Sequence, residues 1–157
     1  MTTQVRIQTT SPSRIADGSS HGSEAQVSVD GAPIEAADTW SYKGCMYSDI
    51  PNLANVFGYI NASWTLRADL NAEYMCRLLN HMDSTGTRTV VPRLRPEDST
   101  MPELPWIRDF TAGYWQRMMH LLPHQGDREP WVNTQSFYKD RKMLRKAPVE
   151  DGVLTFS

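Results

Sequence analysis

Apolar residues recur at four-residue spacing through Leu66, Leu70, Tyr74, Leu78 and Met82, and Met75 and Leu79 widen the same face. That period predicts a helix over residues 63–81, with Arg67, Asp69, Glu73 and Arg77 mostly off the apolar side and residues 83–86 as its stop. Just upstream, the run IPNLANVFGYINASWTLRADL at residues 50–70 reads as a strand, a turn and the start of that helix. The short apolar stretch 55–57 suits a buried strand, Gly58 permits a tight backbone, and Asn61 or Ser63 can cap the helix. A junction of this kind aims backbone N–H groups and a positive helix end at a bound group.

The pattern elsewhere is weaker. Residues 1–23 are rich in Ser, Thr and Gly without a sustained period, and the reading for them is disorder or poor packing. Residues 26–29 alternate like a strand, and Asp30-Gly31 before residues 32–34 signals a hairpin whose partner sheet is not evident. Residues 40–46 suggest a further extended piece bent at Lys43-Gly44, and residues 89–94 an edge strand, since Pro92 argues against a central one. Pro96, Pro102 and Pro105 predict a long surface loop over 95–105 without a core of its own. A second helix is expected from about Thr111 to before Pro123, with Trp115, Met118, Met119 and Leu122 as its apolar side. One or two short helices are expected in 131–145, and a strand at 153–156 beyond a turn at Asp151-Gly152.

Composition narrows the function classes. The chain has 157 residues, ten prolines and a net charge near −2, so nothing overall favours nucleic acid or an anionic membrane. Its mean hydropathy of −0.52 and long aperiodic segments suggest much irregular structure, or a chain that needs another surface to pack on. No window approaches a membrane span and the first residues lack the apolar core of a signal peptide, which makes a cytoplasmic location the expectation. Cys45 and Cys76 have no close His or Cys neighbours of zinc-ligand spacing and are read as reduced and structural.

Candidate chemistry is sparse. The four histidines form neither an HxxxH pair nor HExxH, no GxSxG elbow exists, and Glu97-Asp98 and Glu150-Asp151 read as solvated loop pairs. The glycines never fall in GxGxxG or GxxxxGK[ST], so no dinucleotide is held by that route. Lys139, Arg141, Lys142, Arg145 and Lys146 form the only basic cluster, read mostly as a solvated face. Trp40, Tyr42, Tyr47, Phe57, Tyr59 and Trp64 crowd around the central junction, either as a core about one strand or as an apolar wall for a planar ligand.

The run YKGCMYSDIPNLANVFGYINASWTLRADLNAEYMCRLLNHM, followed by DFTAGY and LPHQGDREPW and the basic tail, resembles the C-terminal part of flavin-dependent monooxygenases. The likeness is to the bacterial Baeyer–Villiger group that includes the ethionamide-activating monooxygenase, and it covers residues 25–156. It implies an α/β fold: the C-terminal portion (25–157) of a Rossmann-like FAD/NAD(P)-binding monooxygenase, preceded by a non-family or disordered segment, 1–24. In that family FAD and NADPH are the cofactors, and a ketone or a soft heteroatom such as sulfur is oxygenated. By the resemblance Gly58, Tyr59, Asn61, Ala62, Ser63 and Trp64 lie close to the flavin ring or its substrate-side wall, and no residue is assigned a catalytic role.

The departures matter equally. Neither dinucleotide motif is present, nor the family fingerprint FxGxxxHxxxW, so the expectation is a fragment or truncated reading frame that is inactive alone and binds FAD and NADPH poorly if at all. Its partner would then be the remainder of the monooxygenase. The competing expectation is a free-standing interaction module that uses exposed apolar faces to bind a partner or itself. A nucleic-acid binder acting through residues 139–146 is the third, and the charge balance counts against it.

Overall fold

The computed structural model describes residues 3–9, 25–108 and 113–157. The chain divides into two compact units, Met1–Glu35 and Ala36–Ser157.

In the first unit three antiparallel strands, β1 (Val5–Thr9), β2 (Ala25–Val29) and β3 (Ala32–Ile34), lie in sequence order. The register pairs Val5 with Val29 and Val27 with Ile34. Asp30 and Gly31 both adopt positive φ, 50° and 85°, which is what a two-residue hairpin loop demands of its central residues. The expected hairpin is therefore present, and its missing partner is β1. The disorder expected for residues 1–23 does not hold at Val5–Thr9: Asp30 exchanges backbone and side-chain hydrogen bonds with Gln4, at 2.9 and 2.8 Å, and closes the strand pair.

The second unit is built around α1 (Trp64–Thr85), a 22-residue helix ended by Gly86 in the left-handed conformation. Around it lie three two-stranded antiparallel ribbons. They are β4 (Ser41–Tyr42) with β5 (Met46–Tyr47), β6 (Val90–Pro92) with β9 (Leu154–Phe156), and β7 (Leu104–Pro105) with β8 (His124–Gln125). Two short helices complete it, α2 (Gly113–Met118) and α3 (Phe137–Arg141), the latter running on into a π-helical turn, Lys142–Lys146. The core joins Leu70, Tyr74, Leu78 and Met82 of α1 to Tyr42, Met46, Val90, Trp131, Leu144 and Leu154. The architecture is mixed α and β with small sheets, and the described residues contain no parallel sheet.

Several expectations are corrected here. Residues 55–57 form no strand: only a bridge from Met46 to Ala54 and the bond from Asn55 N to Cys45 O (2.8 Å) tie this stretch to β5, and Val56 is exposed. Asn52, just upstream, sits at φ 54° and turns the chain away before a ladder can form. Leu66 and Leu79 face solvent, whereas Arg67 is buried. Residues 95–105 are not a coreless loop. Pro96–Thr100 is a 3-10 helix that buries Asp98, and Met101 is buried too. The helix expected from about Thr111 to before Pro123 is present over the described residues as Gly113–Met118 followed by a 3-10 turn at Met119–Leu121; the correction is that Met118, expected on its apolar side, is exposed, and Thr111 lies outside the described residues. Cys45 is buried but Cys76 is exposed, so only the first belongs to the core.

Candidate functional site

The segment between the β5 ribbon and α1 is extended and held by side chains from the C-terminal part of the chain. Ile60 N–H donates to Gln135 Oε1 at 2.9 Å, and Asn61 Nδ2 donates to the Gln135 carbonyl at 3.3 Å. Tyr59 O–H donates to Asp140 Oδ2 at 2.9 Å, and Thr134 O–H to Asp140 Oδ1 at 2.6 Å. Burial first, and then the Asp140 carboxylate, push the Tyr59 phenol's pKa up, so the hydroxyl stays a donor.

Beneath this segment lies a buried ion pair. Arg67 and Asp140 are both fully enclosed and 3.6 Å apart. Arg67 also donates to Asn133 Oδ1 and, at 3.4 Å, to the Lys43 carbonyl, while its guanidinium lies 5.6 Å from the centre of the Tyr59 ring. A Cβ on Gly44 would stand 2.1 Å from Arg67 Nη2, so Arg67 is accommodated only because residue 44 is glycine. A buried charge survives when it is paired and hydrogen-bonded, and this network fastens the first turns of α1 to α3.

Of the six site residues expected from the sequence, the structure buries two. Gly58 and Tyr59 are enclosed, and Asn61, Ala62, Ser63 and Trp64 are exposed at the start of α1. Trp64 packs edge-on to Phe57 with ring centres 5.1 Å apart, and Phe57 in turn lies 4.8 Å from Trp106. A Cβ on Gly58 would meet the Trp64 ring at 2.3 Å, which gives that glycine a steric reason rather than a conformational one. Ser63 stands at the N-cap but its hydroxyl accepts from no backbone N–H of the first turn; it shares a hydrogen bond with the Thr65 hydroxyl at 2.9 Å instead. The helix start is thus left without a side-chain cap, among exposed Val56, Trp64 and Leu66. The aromatic crowd divides accordingly: Tyr42 and Tyr59 are core, and Trp64 is surface.

A second polar cluster lies nearby in the core of the same unit. Lys43, almost wholly buried at φ 51°, pairs with Asp151 at 3.0 Å, and Tyr42 O–H donates to the same carboxylate oxygen at 2.7 Å. Asp98 accepts from Arg95 Nε and Nη2 at 2.9 and 3.0 Å and from Trp131 Nε1 at 2.9 Å. The Arg95 bonds hold its carboxyl down at about 2. Asp98 and Asp151 are therefore core anchors, not the solvated loop acids their sequence neighbourhoods suggest. Lys139, Arg141, Lys142, Arg145 and Lys146 are exposed as expected, and Arg145 pairs with Glu73. Among the described residues no group of His, Cys, Asp or Glu could hold a metal ion, and no helix is long and apolar enough to cross a membrane.

Sequence reasoning missed Arg67, Asn133, Gln135 and Asp140. One signal was available for Arg67, because positions 67, 70, 71, 74 and 78 share one helical stripe and all are buried. The other three lie in an irregular stretch and a five-residue helix, where no period marks the inward face.

The start of α1 is uncapped, stands beside the exposed Trp64 indole and is braced from below by the buried Arg67–Asp140 pair. Comparison with known proteins supplies the class: the chain is related to FAD-containing monooxygenases and matches their C-terminal part. It is 42% identical over 128 residues to the probable FAD-binding monooxygenase AlmA of Acinetobacter baylyi, covering 82% of this chain and 25% of that protein. With the FAD-containing monooxygenase EthA of Mycobacterium tuberculosis it shares 44% identity over 133 residues, 85% of this chain and 27% of that protein. The putative FAD-containing monooxygenase MymA of the same species is 38% identical over 129 residues. The chain thus spans about a quarter of the length of the curated relatives it matches. No family model and no solved structure matches it.

Proposed function

We propose that this chain supplies one wall of the flavin site of an FAD- and NADPH-dependent monooxygenase of the Baeyer–Villiger or heteroatom-oxygenating kind, and that it is inactive without the remaining walls. The observation that carries this reading is the exposed, uncapped start of α1, with Asn61, Ala62, Ser63 and Trp64 at the surface, in a chain related to FAD-containing monooxygenases. When bound, the flavin supplies the oxygen-transfer chemistry. The chain's residues fit one side of such a group. Trp64 offers an apolar face beside Gly58, and the first-turn N–H groups offer a positive field of ~0.3–1 kcal/mol toward negative charge. They do not fit the rest of it, since no glycine-rich phosphate cradle occurs in the sequence. Rossmann-like strands, NADPH and the ketone or sulfur substrate then belong to the larger enzyme, which we place in the cytoplasm.

Titration with FAD, followed by flavin fluorescence, tests the proposal. Weak binding or none is expected, with no NADPH oxidation. A stoichiometric yellow complex that oxidises NADPH would overturn the assignment of inactivity. A second reading, a free-standing interaction module, is favoured by the exposed apolar residues Val56, Trp64 and Leu66. A monodisperse oligomer whose amides at 56–66 are protected from exchange would support it over the first.

A further inference from the structure

A cavity of about 230 Å³ opens within the second unit, with Gln135, which also accepts from Ile60, among its lining residues. Its floor includes the buried amides of Gln125 and Asn133. Both are locked: Gln125 Nε2 donates to the carbonyls of Pro105 and Trp106 at 2.7 and 3.1 Å, Gln125 Oε1 accepts from Asn133 N–H at 3.0 Å, and Asn133 Nδ2 donates to the Trp106 carbonyl at 3.1 Å. Arg108 and Lys139 reach the rim from separate segments, both are exposed, and neither forms an ion pair among the described residues. The one carboxylate in the lining, Asp127, accepts from Arg128 Nε at 2.9 Å, and that bond, with a smaller contribution from the Arg108 charge, holds its carboxyl below the usual carboxylate range.

Size and charge together select the ligand. The volume falls below the ~300–1,000 Å³ of pockets that enclose a whole drug-sized molecule, so the cavity suits a group rather than a complete ligand. A polar lining that carries two exposed cations against one carboxylate suits an anion, and a guanidinium and an ammonium both bind phosphate oxygens, the first through a planar fork and the second as a point charge. We infer that this cavity binds a phosphate group, with Arg108 and Lys139 supplying the charge. The inference stands apart from the flavin-wall reading and does not rest on it. The two meet at Gln135, which lines this cavity while holding Ile60.

Backbone amide shifts of the whole chain, followed during titration with inorganic phosphate, ADP or adenosine 2′,5′-bisphosphate, test it. Shifts should centre on Gln125, Asn133 and Gln135, and affinity should fall on raising salt to about 0.15 M, where the screening length is ~8 Å. Arg108→Ala with Lys139→Ala should weaken binding about tenfold or more, as expected for losing both charges at a phosphate. Lys142→Ala with Lys146→Ala should leave it unchanged. Tighter binding of either nucleotide than of free phosphate identifies a nucleotide source, and equal binding identifies the free ion; both support the site. Absence of shifts around the cavity at about 10 mM ligand, or equal weakening by the Lys142 and Lys146 pair, overturns it, the latter by showing only diffuse attraction.

Discussion

Replacing Asp140 by Asn leaves the fully buried Arg67 guanidinium without its counter-charge while preserving side-chain size. The Tyr59 and Thr134 hydroxyls that donate to the carboxylate at 2.9 and 2.6 Å would then face an amide that offers one acceptor instead of two. Breaking a buried pair on one side costs about 3–5 kcal/mol, because the remaining charge stays desolvated. Against a typical total of ~5–15 kcal/mol that is a large share, and with a urea m-value of about 2 kcal/mol/M the midpoint should fall by ~1.5–2.5 M. Equilibrium urea unfolding followed by tryptophan emission measures it. The decisive companion is Asp140→Asn combined with Arg67→Met, which removes the orphaned charge and should recover most of the lost stability. A midpoint shift under ~0.3 M for Asp140→Asn, or a double variant no more stable than the single one, would refute the claim that a buried ion pair braces the start of α1.

Three further outcomes follow from the same geometry. Gly58→Ala places a Cβ 2.3 Å from the Trp64 ring, so the indole should be driven outward, with red-shifted emission relative to a Trp64→Phe control and a loss of ~1–3 kcal/mol; unchanged emission and melting would contradict the packing. Cys45 is wholly buried with its thiol pushed up to about 12 by burial, whereas Cys76 is exposed, so a thiol reagent should modify only Cys76 in the native chain and both cysteines after denaturation. Asp98, held at about 2 against an ordinary 3.8, should contribute stability that is fully present above ~pH 5 and lost as pH falls through about 2, worth up to ~2 kcal/mol. Acid unfolding of the wild-type chain and of Asp98→Asn should therefore converge near pH 2, and curves that stay parallel would show that Asp98 carries no linked proton.

The legible parts of the fold are those with a local signature. The four-residue apolar period locates α1, Gly86 ends it in the left-handed region, and Asp30-Gly31 marks the hairpin of β2 and β3. The strand expected at 153–156 is present as β9. Failures fall where a residue's partners are distant. Asp98 and Asp151 look like surface acids in their own neighbourhoods, and only the approach of Arg95 with Trp131, and of Lys43 with Tyr42, makes them interior anchors. The apolar run at 55–57 suggests a strand because strand propensity reports side-chain packing on a pleated surface, and among the described residues its pairing with the β5 ribbon stops at one bridge, at Ala54, and one bond, at Asn55.

By itself the sequence determined the position of the long helix, the residues at its exposed start, the absence of any dinucleotide-binding motif and the likeness to flavin-dependent monooxygenases. Each is a property of residue order alone: a period, a spacing or a run of matching residues. The tertiary structure decided which of the expected site residues are exposed, that Gln135 and Asp140 hold the segment before α1, and that Arg67 lies inside. It also assembled the cationic cavity from Arg108 and Lys139, which are 31 positions apart in the chain. Those facts depend on contacts between segments with no common period. Buried charge is stable only where folding brings its partners together, and residue order alone does not disclose that meeting.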